Sequence, residues 1–428
     1  MLLLGAAAGG PLFGGCASSP VSGQSILVGM SEDDEIRADR RAAPHQFSRD
    51  LGAVQDAGVN RYVTEVGQSL ASRSHRPNLP YNYRALNANY VNAYTFPAGS
   101  IGVTRGILLD LDDEAELAAL LGHEIGHVNA RHAAQRQGQA MAAQIAVASA
   151  AIAGEMRYGG GTGLLVGMAG QVGSSALLAS YSRDNEREAD SLGVEYMTRA
   201  GYPADGMAGL MRTLTSEGRS RPGLVETMFS SHPMSAERYE TARREATTKY
   251  AASRTAQVKR QRYLDNTAGL RALAPAIKAE QRGETLAAQG KFAEATQQFA
   301  HALQLAPNDY PGLVLMTKAQ LAQKRYAEAE PYADRAVAAY PNEAQALKLS
   351  GIVKIALKKP DVAYQRFDAY DKALPGDPNA LFFKGISLEA MQNRNGAAQQ
   401  YAQFLRAGGS GRPAQYARQR LQQWSAAK

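Results

Sequence analysis

The chain has 428 residues, 45% of them hydrophobic, and its 47 basic and 40 acidic residues give a net charge of +7. This length predicts two to three domains, and the hydrophobic fraction is sufficient for packed cores, which argues against a disordered protein. The sequence has no arginine-rich run and no interleaving of basic and aromatic residues, so we expect no nucleic-acid partner.

Residues 2–15 form an uncharged apolar stretch that ends at Cys16, the only cysteine. The stretch is too short to span a bilayer and is typical of a secretory signal. Residues 12–16 resemble a bacterial lipobox, so we expect a lipoprotein signal peptide at 1–16 and lipidation of Cys16. Ala17 favours anchoring in the outer membrane, on its periplasmic side. The alternative interpretation of Cys16 is a buried free cysteine.

The next segments predict a tether, a helix and a small sheet. Small polar residues at 17–24 indicate a tether, and acidic residues at 32–35 indicate a helix start, which together give a tether and first helix at 17–44. Three β-like runs at 81–86, 91–96 and 100–104 predict a small sheet within a domain at 45–260.

A long helix is predicted from Asp112 to about Gly138, because acidic residues favour a helix start and an apolar stripe follows. Gly122 and Gly126 lie four residues apart on this helix and would let another backbone approach closely. Two apolar stretches follow at 141–153 and 164–179. We interpret them as a helical hairpin packed on the domain, or alternatively as one that enters the membrane interface or covers the site.

The C-terminal third repeats with a period of 34 residues. Alanine recurs with this spacing at positions 295, 329, 363 and 397, and proline at 307, 341 and 375. This period predicts tetratricopeptide repeats, which stack into a superhelix whose concave surface binds other proteins. We expect four helical pairs and a capping helix within 275–428. The predicted fold is mainly α: a domain of helices and a small β-sheet, then an all-α superhelix.

The predicted long helix contains the run His123-Glu124-Ile125-Gly126-His127, whose side chains are candidate catalytic groups. Its two imidazoles lie one turn apart on one helix face and can bind the same metal ion. Glu124 beside them is placed to act as general base on a metal-bound water, as in zinc metallopeptidases.

A catalytic zinc needs a third protein ligand, and Glu186 is the best candidate. Asp190 lies four residues later on the same helical face, so it is predicted to support a ligand, most directly His123. Glu188 points to the opposite side. The alternative is that this acidic stretch is a solvated helix face.

Two further histidines have open roles. His132 lies off the ligand face of an ideal helix and is predicted to be a supporting residue rather than a ligand. His232 precedes a proline, which favours extended backbone. It could contact the oxyanion of an intermediate, occupy the open zinc position, or lie in a surface loop. Arg105, Arg131 and Arg183 are candidate electrostatic helpers.

Four sequence motifs occur together in this order: Asn92-Ala93-Tyr94, His123–His127, Glu186–Asp190 and Ser231-His232-Pro233. Over residues 30–428 the chain resembles the gluzincin metallopeptidases of the HtpX and CAAX prenyl endopeptidase type, and especially the periplasmic members that carry tetratricopeptide repeats. The resemblance implies one Zn²⁺ per chain with Glu186 as third ligand, and His232 near the metal, where it restrains activity. It also implies that Asn92, Ala93 and Tyr94 form an edge strand that pairs with the substrate backbone.

We therefore expect a lipid-anchored zinc endopeptidase of the bacterial cell envelope. Its repeats would recruit misfolded or stalled envelope proteins and the outer-membrane assembly machinery. The alternative is a latent peptidase that acts mainly as a chaperone or scaffold. A zinc hydrolase that acts on non-peptide substrates is a third hypothesis, and no residue of the sequence supports it.

Overall fold

The computed structural model describes residues 15–141 and 180–426, which are predominantly helical. Residues 1–14 of the predicted signal peptide and nearly all of the predicted apolar hairpin at 141–153 and 164–179 lie outside the described residues. Within the described ranges, no helix combines the length and the apolar character needed to cross a membrane.

The chain begins with a small hairpin and a long helix. Strands β1 (Cys16–Ser18) and β2 (Ser25–Leu27) pair antiparallel, so residues 17–24 form part of a hairpin, and the predicted tether is wrong there. Cys16 is exposed, which rules out the buried cysteine. Helix α1 (Glu32–Arg49) starts at the predicted acidic residues, where Ser31 forms a capping box. It continues past the predicted boundary at 44.

A three-stranded sheet leads into the central helix of the N-terminal domain. After α2 (Ala57–Ala71) come β3 (Asn82–Leu86), β4 (Ala93–Thr95) and β5 (Ser100–Thr104), close to the predicted runs. Their order is β3-β5-β4, with β3 parallel and β4 antiparallel to β5. Strand β4 is therefore an edge strand of this sheet.

The central helix is shorter than predicted. Helix α3 (Arg105–Asp110) precedes α4 (Glu114–Asn129), which Asp113 caps and whose residues are all buried. The chain then breaks at Arg131, which has a φ of 59°, and α5 runs from 132 to the end of the described segment at 141. The predicted end near Gly138 is wrong because this left-handed residue separates two helices.

Helix α6 (Arg183–Arg199) crosses α4 at very short range. A Cβ on Gly122 would lie 2.9 Å from the carbonyl oxygen of Gly193, and one on Gly126 would lie 2.8 Å from that of Ala189. The predicted close approach is thus made by the helix that carries Glu186. Further helices complete the domain: α7 (Asp205–Ser220), α8 (Pro222–Ser231), α9 (Ala236–Thr247), α10 (Arg260–Asn266) and α11 (Ala268–Ala272).

The repeat domain has the predicted four helical pairs followed by a capping helix. The pairs are α12 (Ala274–Ala288) with α13 (Phe292–Leu305), α14 (Tyr310–Ala322) with α15 (Tyr326–Ala339), α16 (Ala344–Ala356) with α17 (Pro360–Ala373), and α18 (Pro378–Ala390) with α19 (Arg394–Arg406). Helix α20 (Gly411–Ala426) closes the array. The four alanines of the 34-residue period are all fully buried, which explains their fixed phase.

Buried polar contacts join the two domains. Arg105, at the start of α3, is 1% exposed and forms ion pairs with Glu280 and, at 2.9 Å, with Asp309 of the repeats. Asn89 donates a hydrogen bond to Glu284 at 2.8 Å. Arg105 is therefore a domain-interface residue, and its predicted role as an electrostatic helper of the metal site is wrong.

Candidate metal centre

Helix α4 presents His123 and His127 on one buried face. Their side chains are one turn apart, and the two Nε2 atoms lie 3.0 Å from each other. The histidines are 4% and 1% exposed. Two imidazole nitrogens at this distance, inside a helix that is buried on every side, form one half of a metal site.

Glu186 of α6 supplies the acidic member of the site. Its Oε1 lies 3.3 Å from Nε2 of His127, and its Oε2 lies 3.6 Å from Nε2 of His123. Burial alone would raise the pKa of Glu186, but His123, His127 and His232 outweigh burial and hold this pKa well below its usual range. The carboxylate is therefore ionised and able to act as a metal ligand.

His232 completes the cluster. It follows the last residue of α8 and is 2% exposed, so the surface-loop interpretation is wrong. Its Nδ1 lies 3.2 Å from Nε2 of His123 and 3.1 Å from Oε1 of Glu186. Potential ligand atoms of His123, His127, Glu186 and His232 all lie within 4.8 Å of one another.

The donor set fits a zinc ion. Zn–N bonds of 2.0–2.1 Å in a tetrahedron place two ligand nitrogens about 3.3–3.4 Å apart, close to the separations seen here. Glu124 provides a second indication, because both its carboxylate oxygens are buried and have no hydrogen-bond partner among the described residues. A buried carboxylate without partners is costly unless a cation or a bound water satisfies it.

Glu124 lies beside the cluster rather than within it. Its Oε1 is 3.7 Å from Nε2 of His232, so the two nitrogens of His232 face the ligand group and the carboxylate respectively. Burial raises the pKa of Glu124, and the nearby His232 and His123 act against this effect. A carboxylate in this position can accept a proton from a molecule held at the cluster.

Asp190 and Arg238 hold the ligands in place. Oδ1 of Asp190 lies 2.9 Å from Nδ1 of His123, which is the contact that the spacing predicts. The guanidinium of Arg238 donates to Asp190 at 2.7 Å and lies 2.6 Å from Oε2 of Glu186. Arg238 was not predicted from the sequence. An arginine three residues after the N-cap Ser235 has the same sequence context as an arginine on a solvated helix surface.

His132 supports the second histidine. The Nδ1 atoms of His127 and His132 are 2.8 Å apart, and Nε2 of His132 lies 3.1 Å from Oε2 of Glu188. If Nε2 of His127 faces a metal, its Nδ1–H donates to His132, whose own Nε2–H then donates to Glu188. The break at Arg131 turns His132 back towards His127, in the supporting position that the sequence predicts.

The remaining predicted helpers lie elsewhere. Arg131 is bonded to the buried Glu35 at 3.0 Å and to the carbonyl of Met30, and Arg183 is exposed. Tyr181, which sequence reasoning missed, stacks on His127 with ring centroids 3.7 Å apart. No local pattern distinguishes this tyrosine from the 19 others of the chain.

The segment Asn92-Ala93-Tyr94 lies at the sheet edge that packs against α4. The backbones of Asn92 and Phe96 form hydrogen bonds with β5. In antiparallel pairing, such residues alternate with residues whose N–H and C=O groups point away from the partner strand. The backbone N–H and C=O groups of Ala93 therefore point away from β5. The side chain of Tyr94 is buried and donates a hydrogen bond to Asp50 at 2.5 Å. Only the backbone of this segment is thus oriented towards an additional strand.

Comparisons with known proteins match two families along the chain. Residues 57–246 match peptidase family M48, and residues 286–351 match a tetratricopeptide repeat. The beta-barrel assembly-enhancing protease of Escherichia coli (strain K12) is 28% identical over 249 residues, covering 55% of this chain and 47% of that protein. The metalloprotease YcaL of the same strain is 28% identical over 211 residues, covering 48% and 79%.

Among solved structures, the tetratricopeptide protein YrrB has a TM-score of 0.33 and 17% identity, covering 48% of this chain and 97% of that one. The chain spans about half the length of the beta-barrel assembly-enhancing proteases that it matches. All four residues of the metal cluster fall within the M48 match. The chain therefore carries a domain of peptidase family M48 followed by tetratricopeptide repeats.

Proposed function

We propose that the chain is a zinc-dependent endopeptidase of the bacterial cell envelope. The observation that carries this proposal is the convergence of His123, His127 and Glu186 on one point. Beside it lies the carboxylate of Glu124, which has no hydrogen-bond partner among the described residues. A non-peptide hydrolase would use the same metal chemistry. The match to a peptidase family favours peptide bonds as the substrate.

Each residue of the site has a separate role in the proposed hydrolysis. A zinc ion held by the two histidines and Glu186 would lower the pKa of its water towards about 7 and polarise the scissile carbonyl. Glu124 takes the proton of the attacking water and later delivers it to the leaving amine. Asp190 and Arg238 keep His123 and Glu186 in place. The outward-directed backbone of Ala93 can pair with an extended substrate.

Location and partners follow from the flanking parts of the chain. The lipobox-like residues before Cys16 support a lipid anchor, and Ala17 supports retention at the periplasmic face of the outer membrane. The repeats would bring misfolded or stalled envelope proteins to the metal site. Relatives named beta-barrel assembly-enhancing proteases support outer-membrane assembly as the setting.

A second function, a latent peptidase that works mainly as a chaperone or scaffold, is favoured by the position of His232. Its Nδ1 lies within 3.2 Å of a nitrogen of His123, so it occupies the place where a fourth ligand would bind. A fourth protein ligand would exclude the water that hydrolysis needs. In this state the protein would act through the repeats, which bind other proteins, and not through hydrolysis at the metal site.

Cleavage of an unfolded protein such as casein tests the peptidase proposal. Glu124→Gln keeps the shape of the side chain but removes the base, so this variant should bind one zinc and cleave nothing. Casein cleavage at the wild-type rate by zinc-loaded Glu124→Gln would rule out Glu124 as the base and the mechanism with it.

His232→Ala separates the two functions. A restraining ligand predicts faster cleavage in this variant, and a catalytic histidine predicts slower cleavage. The double variant with Glu124→Gln is the control, because any activity that survives in it comes from another enzyme.

A further inference from the structure

A large cleft separates the M48 domain from the repeats. It has a volume of about 1110 Å³ and lies between α1, α5, the start of α6 and the segment from α16 to α18. Its walls mix small apolar side chains with charged ones. The residues assigned to the proposed hydrolysis do not line this cleft.

The charges on the cleft wall are mainly positive. Four cationic side chains line it, Arg41, Arg49, Arg136 and Lys348, against a single carboxylate among the described lining residues, Asp377. That carboxylate already accepts hydrogen bonds from Tyr370 and from the backbone of α18. The cleft therefore has an excess of positive charge.

Among the described residues, the two cations on α1 form no ion pair. Arg41 and Arg49 are exposed on α1, and neither forms an ion pair with any residue of 15–141 or 180–426. Burial lowers the pKa of Lys348, and the positive charges of Lys318 and Arg49 lower it further, against the opposing effects of Asp377 and Glu343. Cations that repel one another across a cleft favour an anionic occupant.

The cleft also adjoins the metal centre. Asn185 lines it and directly precedes the metal-cluster residue Glu186, and Arg136 lines it while packing over the ring of Tyr181 at 4.2 Å. Tyr181 in turn stacks on His127. The ring of Tyr181 thus separates the cleft wall from His127, and a chain lying in the cleft would approach the metal centre from this side.

We propose that the cleft binds an acidic, extended segment of the polypeptide substrate and guides it from the repeats to the metal centre. This inference rests on the proposed peptidase function and adds the substrate class. The chain's own segment 142–179 is a poorer occupant, because it contains one acidic and one basic residue, Glu155 and Arg157, and has no net charge to match the cleft.

Peptide binding to the full chain in the Glu124→Gln background tests the proposal, because binding is then measured without cleavage. The probe is a fluorescent, unstructured peptide with regularly spaced glutamates, compared with the same peptide carrying lysines, by fluorescence anisotropy. We expect the acidic peptide to bind more tightly and to weaken with salt. Arg41→Glu with Arg49→Glu should weaken its binding by about tenfold or more.

The matched control reverses two exposed charges away from the cleft, Arg61→Glu with Lys324→Glu, and should leave peptide affinity unchanged. Circular dichroism verifies that both double variants are folded. Equal affinity for the two peptides, or equal loss in both double variants, would overturn the proposal. So would binding of phosphatidylglycerol vesicles that is lost with Arg41→Glu and Arg49→Glu while peptide binding persists. Casein cleavage by the wild type is scored separately, so failure of this inference leaves the peptidase proposal standing.

Discussion

Replacing Gly126 by alanine tests whether the contact between α4 and α6 sets the metal geometry. A Cβ at this position would lie 2.8 Å from the carbonyl oxygen and 3.0 Å from the Cα of Ala189. Ordinary van der Waals contact begins at 3.4 Å, and both obstacles are backbone atoms that cannot rotate away. The two helices must therefore separate by about 0.5 Å, because protein interiors have little spare space.

The variant should be less stable than the wild type by about 0–2 kcal/mol. Alanine is favoured over glycine inside a helix by about 1 kcal/mol, whereas overpacking a dense core costs about 1–3 kcal/mol. The metal site is more sensitive, because α4 carries two ligands and α6 carries Glu186, and metal–ligand distances tolerate only about 0.2 Å. We expect Gly126→Ala to weaken zinc binding by about 10–100-fold, as when groups that orient a ligand are lost.

Competition with a fluorescent chelator measures zinc affinity, and urea unfolding of the metal-free chain measures stability. Gly223→Ala is the matched control, because Gly223 is also helical but no atom of the described residues lies within 4 Å of the position that an added methyl group would take. The control should bind zinc like the wild type. Wild-type zinc affinity in Gly126→Ala would refute the claim that this contact sets the ligand spacing.

Three further substitutions probe the groups around the site. His132→Ala should lower zinc affinity by about 10–100-fold in the chelator assay, because His127 loses the partner of its Nδ1; unchanged affinity would make that contact incidental. Arg238→Gln should destabilise the metal-free chain by about 3–5 kcal/mol in urea unfolding, because the fully buried Glu186 and the partly buried Asp190 lose their cation, and a loss below about 1 kcal/mol would argue against this pairing. Arg105→Ala should uncouple the two domains, so that calorimetry shows two unfolding transitions; a single transition at the wild-type temperature would contradict this.

The sequence predicted those parts of the site that depend on local spacing. His123 and His127 lie one turn apart, as do Glu186 and Asp190, and helical geometry alone places each pair on one face. The 34-residue period likewise predicted the four helical pairs. These features need no knowledge of how distant segments pack.

The parts that failed depend on tertiary contacts. The end of α4 was placed too late because a single left-handed residue, Arg131, is held by the buried Glu35 from α1. Arg105 was assigned to the wrong site because its partners in the repeats, Glu280 and Asp309, are 175 and 204 positions away along the chain. Arg238 and Tyr181 could not be predicted from local sequence. They contact the metal centre only because α9 and the start of α6 pack against it.

Zinc content after dialysis is the most direct test of the metal centre. The site described above requires one zinc per wild-type chain, retained in His232→Ala and lost in Glu186→Ala, because α6 supplies the only carboxylate ligand proposed. A Glu186→Ala chain that keeps a full equivalent of zinc would contradict this centre, as would a wild-type chain that binds none.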